Sequence, residues 1–172
     1  LPNATVRTMD PALDSLKYPI GRFSYPPAVA ESTVRGWLGE LAAAPALLRA
    51  AVAGLSDAQL DTPYRPGGWT LRQVVHHLPD SHVNSYVRFK LASTEDSPAI
   101  RTYEEQLWAE LPEDKTGPIE MSLVLLDALH VRWVAHLKNL AAADFARAFV
   151  HPELGAVSLD RALALYAWHG KH

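Results

Sequence analysis

Cysteine is absent from the chain. Its absence excludes disulfide bonds, a cysteine nucleophile, thiolate metal sites and iron–sulfur clusters. A basic excess is also missing, because 16 Lys and Arg residues stand against 19 Asp and Glu residues and leave a net charge of −3. This balance gives no electrostatic reason to expect nucleic acid or anionic lipid as a partner. No apolar run approaches the roughly 20 residues that a bilayer-spanning helix needs, so the sequence predicts a soluble, cytoplasmic protein.

The length and composition of the chain are typical of one globular domain, apart from an unusually high histidine content. The chain has 172 residues, of which 48% are hydrophobic and 20% are charged, as is typical of soluble proteins. Histidine occurs eight times, against 16 Lys and Arg residues together. We expect the sequence to be a fragment with a truncated last helix. It begins at Leu1 without an initiator Met and stops at His172 within an apolar helical pattern.

The chain divides into an N-terminal arm and a helical part. Residues 1–30 contain five prolines, which lack an N–H and fix φ, so we predict an extended arm that packs on the domain rather than a helix. Residues 31–172 contain four long stretches with apolar residues at helical spacing. These stretches predict helices that begin near Ser32, at Thr70, at Pro118 and after Ser158. Four amphipathic helices predict an all-α fold, a four-helix bundle.

Local signals refine this prediction. Thr70 followed three residues later by Gln73 is a capping-box pattern. Pro45 and Pro79 lie inside apolar helical patterns, and we expect each to bend or interrupt its helix because proline removes a backbone hydrogen bond. Residues 149–157 predict an irregular excursion around a glycine, for which two short strands are one alternative.

The histidines are the candidates for chemistry, because imidazole is both the commonest neutral metal ligand and a group that titrates near neutral pH. At about 100° per residue, His82 and His130 fall in the middle of the apolar stripes of their helices. His169 falls near the interior, and the neighbours His76 and His77 fall on the flanks. A single inward histidine is more often a hydrogen-bonded core residue than a ligand. Three or more on different bundle helices favour a metal or catalytic site.

The remaining motifs carry little weight. His136 is predicted at a solvated helix edge, and His151 is predicted on the surface beside Pro152. Two adjacent glycines at residues 67–68 precede a helix but lack a full phosphate-binding pattern. The five tryptophans predict core packing, since no basic patch interleaves them.

Several longer runs resemble one known family. They include Gly-Gly-Trp-Thr-Leu-Arg-Gln-Val-Val-His-His at residues 67–77, Leu-His-Val-Arg-Trp at residues 129–133 and Trp-His at residues 168–169. The chain resembles the YfiT-like predicted metal-dependent hydrolases of the DinB superfamily, from about residue 18 to the end. The resemblance extends to bacillithiol S-transferases of that superfamily.

The resemblance implies a DinB-type four-helix bundle, a homodimer and one divalent metal ion per chain, zinc or nickel, held by three histidines. Carried over residue by residue, it assigns His77 and His169 as metal ligands. The third ligand of the family lies four residues after His169, at position 173, with His172 as a weak substitute. His82 and His130 then become catalytic candidates, as pocket histidines that orient a ligand, bind substrate or move a proton.

The sequence leaves three functions open. A metal held by three histidines activates water in a hydrolase, and the same site holds a small thiol as thiolate in a low-molecular-weight thiol S-transferase. We favour the transferase, acting on a small-molecule thiol and an electrophilic substrate, because no Glu or Asp base occurs at HExxH-like spacing. A metal-binding module without turnover is the third alternative.

Overall fold

The computed structural model describes residues 11–172. Four long helices form a bundle, which confirms the predicted fold class. They are α2 (Glu31–Val52), α4 (Leu71–Thr94), α7 (Glu120–Lys138) and α8 (Leu159–Lys171). Helix α2 packs against α7 and α8, and α4 packs against the same two helices. The centre is filled by fully buried Trp133, Phe89 and Leu41 with smaller aliphatic side chains around them.

Shorter elements connect and flank the bundle. They are α1 (Pro11–Lys17), α3 (Asp57–Leu60), α5 (Glu105–Trp108), α6 (Pro112–Thr116), a 3₁₀ turn (Ala142–Ala146), β1 (Ala148–His151) and β2 (Gly155–Ser158). None of the helices in the described part of the chain combines the length and the apolar composition that crossing a bilayer requires.

The N-terminal segment differs from its prediction. Pro11–Lys17 is helical, so the expectation of an extended conformation throughout residues 1–30 is wrong there; a proline is compatible with the first turn of a helix, where its missing N–H costs nothing. The first ten residues of the predicted arm lie outside the described residues. Farther along, the Tyr25 hydroxyl donates to Asp160 Oδ2 over 2.7 Å, and the Phe23 ring lies 6.0 Å from that of Trp168.

The second bundle helix, α4, begins where the sequence predicts. The Thr70 side chain accepts from the backbone N–H of Gln73, and the Thr70 N–H donates to Gln73 Oε1 over 2.9 Å. This capping box satisfies two backbone donors that the first turn leaves without a helical partner.

Neither internal proline interrupts its helix. Helix α2 is continuous through Pro45, and α4 is continuous through Pro79. Both rings are buried in the bundle, so packing offsets the cost of the lost backbone hydrogen bond. Helix propensity alone does not include this packing and therefore predicts a break at proline. The alternative of an interruption is therefore wrong at both positions.

A hairpin leads directly into α8. Strands β1 and β2 pair antiparallel from Ala148 opposite Ser158 to His151 opposite Gly155. Gly155 closes the turn with φ +69°, a conformation that glycine adopts without strain. The Ile100 N–H donates to the Val150 carbonyl over 3.0 Å, which attaches the hairpin to the segment after α4. The start of α8 is thereby positioned against the end of α4.

Candidate metal centre

Two histidines predicted as metal ligands meet across the α4–α8 contact. The ring centroids of His77 and His169 lie 5.5 Å apart, with the rings nearly perpendicular. The Trp69 ring also packs on His77, with the two ring centroids 4.8 Å apart. Burial lowers the pKa of His77 to about 4, and burial together with the nearby His77 and His172 lowers that of His169 to about 3. Both rings are therefore neutral at pH 7, which is the form that binds metal.

Close helix packing carries His169 to this position. Gly170 follows it on α8, and a Cβ atom added there would lie 3.1 Å from the Cβ of Ala44 on α2. That separation is tighter than ordinary contact. The absence of a side chain at Gly170 thus lets α8 approach α2 and places the neighbouring imidazole toward the interior.

A chain of hydrogen-bonded histidines runs from His169 into the core. His169 Nδ1 lies 3.1 Å from His82 Nε2, and His82 Nδ1 lies 2.7 Å from His130 Nε2. At the far end His130 Nδ1 lies 2.7 Å from the carbonyl oxygen of Leu41 on α2. We call His169, His82 and His130 the histidine relay. Since His82 is 0% exposed and His130 is 2% exposed, the prediction that both point inward is confirmed.

The relay has one consistent assignment of protons. A carbonyl oxygen only accepts, so His130 Nδ1 carries a proton and donates to Leu41. Burial lowers the pKa of His130, and burial with the neighbouring histidines lowers that of His82 well below its usual value, so both rings are neutral. A neutral His130 accepts at Nε2, hence His82 donates from Nδ1 and accepts at its own Nε2. His169 must then donate from Nδ1.

The relay therefore leaves Nε2 of His169 with an unshared electron pair. No residue within 11–172 hydrogen-bonds to that atom or to either ring nitrogen of His77. Two neutral histidines with open nitrogen atoms, held by two different helices, thus stand side by side. That is the donor chemistry that zinc and similar ions take in proteins.

The chain matches a known family along most of its length. Residues 40–172 match the sequence model of the DinB superfamily. The chain belongs to the DinB superfamily. It is 53% identical to a Bacillus licheniformis protein named "Putative metal-dependent hydrolase", over 161 residues that cover 93% of this chain and 92% of that protein. A Bacillus mycoides protein of the same designation is 52% identical over 160 residues, with the same two coverages.

Two solved structures are similar to this DinB-superfamily chain. YfiT from Bacillus subtilis, described as a probable metal-dependent hydrolase with an unusual four-helix bundle topology, matches with a TM-score of 0.89 and 49% identity. The match covers 92% of this chain and 91% of YfiT. TT2238, a four-helix bundle protein, matches with a TM-score of 0.52 and 21% identity over 80% of this chain and 94% of its own, which bears on the fold alone.

The donor set fits a metal ion only in part. In the described chain no group of three or more His, Asp or Glu side chains is arranged to hold an ion. His172, the weak substitute for a third ligand, is turned away: its Nε2 donates to the Lys17 carbonyl over 2.8 Å, and its ring stacks on Trp168 at 4.4 Å. The structure thus brings two of the three predicted ligand residues together, His77 and His169. Their role as ligands and a third ligand at position 173 stay predictions.

The other histidines lie elsewhere. His136 and His151 are both partly exposed, as expected for the helix edge and the surface positions predicted for them. His136 Nε2 lies 3.0 Å from Ser93 Oγ, while His151 Nδ1 accepts from the backbone of the hairpin turn. His76 is 3% exposed and lines a cleft that does not include His77.

Three contributors to the site were missed by sequence reasoning. The Tyr166 and Trp133 rings stand nearly perpendicular to the His82 ring, with centroids 5.1 and 5.9 Å from it. The third contributor is the Leu41 carbonyl, which orients the relay. The position of Tyr166 was predictable, because residues three apart share a helix face and Tyr166 precedes His169 by three residues. The role of the Leu41 carbonyl was not predictable, because every residue has a backbone carbonyl and the residue type does not indicate which one accepts a hydrogen bond.

Proposed function

We propose that this chain is a metal-dependent enzyme that transfers a low-molecular-weight thiol, of the bacillithiol class, to an electrophilic substrate. His77 and His169 would hold one divalent ion, zinc or nickel, together with a third ligand. The observation that carries the proposal is the pair of neutral, partly buried imidazoles whose ring nitrogens are open. The two Bacillus relatives and YfiT carry names that describe metal-dependent hydrolases, which supports the dependence on a metal.

The ion would supply positive charge that favours the deprotonated form of a thiol or of water. The histidine relay positions the ligand on the protein side. It fixes the ring of His169 with Nε2 free, and it places His82 and His130 behind the ligand, where they orient it. The aromatic rings around His82 keep water away from this array.

A thiol is the favoured nucleophile because the site contains no strong base. No Asp or Glu of the described chain hydrogen-bonds to His77, His82, His130 or His169. A free thiol has a pKa of about 8.5, whereas water loses a proton far less readily and needs more assistance. In the transfer, the thiolate sulfur forms a bond to the electrophilic carbon, and the leaving group departs with the electron pair of the broken bond.

Hydrolysis is the second candidate, favoured by the names of the relatives. It uses the same ion and the same two histidines, and differs only in the nucleophile. A metal-binding module without turnover is the third. The three are separated by one set of measurements on the full-length protein.

The experiment combines elemental analysis with a conjugation assay. Bacillithiol and 1-chloro-2,4-dinitrobenzene are incubated with the protein, with and without chelator, and chloride release and thioether formation are followed. One ion per chain with chelator-sensitive conjugation supports the transferase. One ion without conjugation, but with chelator-sensitive ester or amide cleavage, assigns the hydrolase, and no turnover of either kind assigns the binding module.

A homodimer and a cytoplasmic location are parts of the proposal. Besides Met121, helix α7 carries three apolar side chains that are each about half exposed or more, and a second copy would cover these three. They are Val124, Leu125 and Val131. Light scattering on the full-length protein tests the dimer, and Val131→Asp, which charges the most exposed of the three, is expected to dissociate it.

A further inference from the structure

A cleft that does not include His77 lies beside its neighbour His76 on α4. It has a volume of about 270 Å³ and opens between α4, α5, α6 and the start of α7. Three carboxylic side chains line it, Asp80 from α4 and Glu113 and Asp114 from α6, together with Trp108 and Met121. The sequence predicted solvated charges at Glu113 and Asp114 and core packing for Trp108, whereas Asp114 is buried and Trp108 is partly exposed at the cleft. The metal centre uses none of these residues.

No Lys or Arg of the described chain pairs with the carboxylates in this cleft, and His76 is the basic side chain that opposes the raised pKa of Asp114. Asp114 is 6% exposed, and no described residue donates a hydrogen bond to its carboxylate. The nearest lysine in sequence, Lys115, pairs instead with Glu110 over 3.0 Å. Burial and the neighbouring charges of Asp114 and Glu113 raise the pKa of Asp80 to about 6. A buried acid without a partner costs free energy, which a cation in the cleft would offset.

Hydrogen bonds within the protein occupy the polar floor of the cleft. The Nε2–H of His76 donates to the Gly117 carbonyl over 3.2 Å, and Nδ1 of His76 lies 2.7 Å from the Ser122 hydroxyl. The side chains that remain are the carboxylates of Asp80, Glu113 and Asp114. An ionised carboxylate only accepts hydrogen bonds, so this lining favours a ligand with several N–H donors and a positive charge.

The shape and lining favour an organic cation over a metal ion. The carboxylates do not form a group that could hold one ion, in the part of the chain that the structure describes. The volume exceeds what a single ion fills, and the wall includes the indole of Trp108, which is held against Tyr103 at 4.5 Å, and the thioether of Met121. An aromatic face attracts an ammonium group, and apolar side chains cover an alkyl chain.

We propose that this cleft binds the primary ammonium group of an aliphatic amine, with Asp114 as its principal partner and Trp108 and Met121 against the alkyl chain. The same group occurs on free amines and on lysine side chains of other proteins. The cleft therefore takes either source by the same chemistry, and the test includes one arm for each.

The test is a titration of the full-length protein at pH 8, followed by the NMR signals of the Trp108 indole N–H and the Met121 methyl group. The probes are n-butylamine and 1,4-diaminobutane as free amines, Nα-acetyl-lysine amide as the lysine side chain, and n-butanol as the uncharged counterpart. We expect saturable shifts of both signals with the amines in the millimolar range, and none with n-butanol. Tighter binding of the lysine amide than of n-butylamine would identify a protein partner as the source.

Two variants locate the binding. Asp114→Asn removes the buried charge while keeping the size of the side chain, and we expect it to weaken amine binding at least tenfold. Glu110→Gln removes one charge from the same region outside the cleft, and we expect an affinity within twofold of the unmodified protein. Equal losses in both variants, no saturable shift with any amine, or stoichiometric binding of Ca²⁺ or Mg²⁺ in preference to the amines would overturn the proposal.

Discussion

His82 and His130 share a short hydrogen bond inside the bundle. His82 Nδ1 and His130 Nε2 are 2.7 Å apart, and the two rings lie nearly parallel with centroids separated by 4.9 Å. One nitrogen has to donate and the other to accept, so the pair holds one proton between these two atoms. The Leu41 carbonyl at the far end of His130 decides which of them carries it.

The first prediction concerns tautomers. We expect His82, His130 and His169 to be protonated on Nδ1 at pH 7 in the metal-free protein, because each donates toward the Leu41 end of the relay. Long-range ¹⁵N–¹H correlation of the imidazole rings measures this directly. An Nε2–H tautomer in any of the three would break the relay at that point and remove the reason for a free pair on His169.

The second prediction separates orientation from ligation. His130→Ala is expected to retain the metal ion and lose activity, because it leaves His82 without its acceptor while His77 and His169 stay intact. The loss of a buried side chain and of two hydrogen bonds should lower the free energy of unfolding by about 2–4 kcal/mol. Elemental analysis, turnover and a denaturant titration on one preparation check the three effects. Unchanged turnover would remove His130 from the mechanism.

The third prediction tests the ligands. His77→Ala and His169→Ala are each expected to abolish stoichiometric metal binding while the helical circular dichroism signal persists. His151→Ala is the matched control, since that side chain lies on the hairpin and bonds only to nearby backbone N–H groups. Metal content is measured by elemental analysis. If both variants keep a full complement of metal, the assignment is wrong.

The fourth prediction follows from the raised pKa of Asp80. Its pKa of about 6 exceeds the usual 3.8, so the folded state holds this proton more tightly than the unfolded state. The contribution to stability is present below pH 4 and is lost as the pH rises to about 6. Asp80→Asn should therefore raise the free energy of unfolding at pH 8 by roughly 1 kcal/mol, after allowance for partial solvation, and leave it unchanged at pH 4.

Urea titrations at the two pH values measure the effect of Asp80→Asn. Asp96→Asn serves as the control, because Asp96 lies exposed in the turn after α4. An equal gain at both pH values would show that the substitution acts through packing or the unfolded state, and that the Asp80 carboxyl is not perturbed in the folded protein.

Most of the fold was accessible from the sequence. Apolar periodicity located the four bundle helices, and Thr70 with Gln73 marked the start of α4. The helix at Pro11–Lys17 was missed because proline content was weighed over a whole segment, whereas its effect depends on the position within the first turn. Continuity through Pro79 depends on burial by other helices, which local propensity does not contain.

The candidate site was predicted less completely. Helical rotation placed His82 and His130 inward, but it does not say which ring nitrogens meet. That depends on the helix crossings and on the backbone of α2, where the Leu41 carbonyl lies. The acidic cleft is assembled from separate segments around α4, so no spacing along the chain brings Asp80 and Asp114 together.

The two proposed ligands come from helices far apart in the chain, His77 on α4 and His169 on α8. An unfolded chain does not hold them together, so an ion that they bind selects the folded state. At a free ion concentration one hundred times its dissociation constant, this linkage adds about 2.7 kcal/mol to stability. Metal starvation would then do more than stop turnover: it would raise the unfolded fraction and expose the chain to proteases. The cellular amount of the protein would follow the supply of its metal.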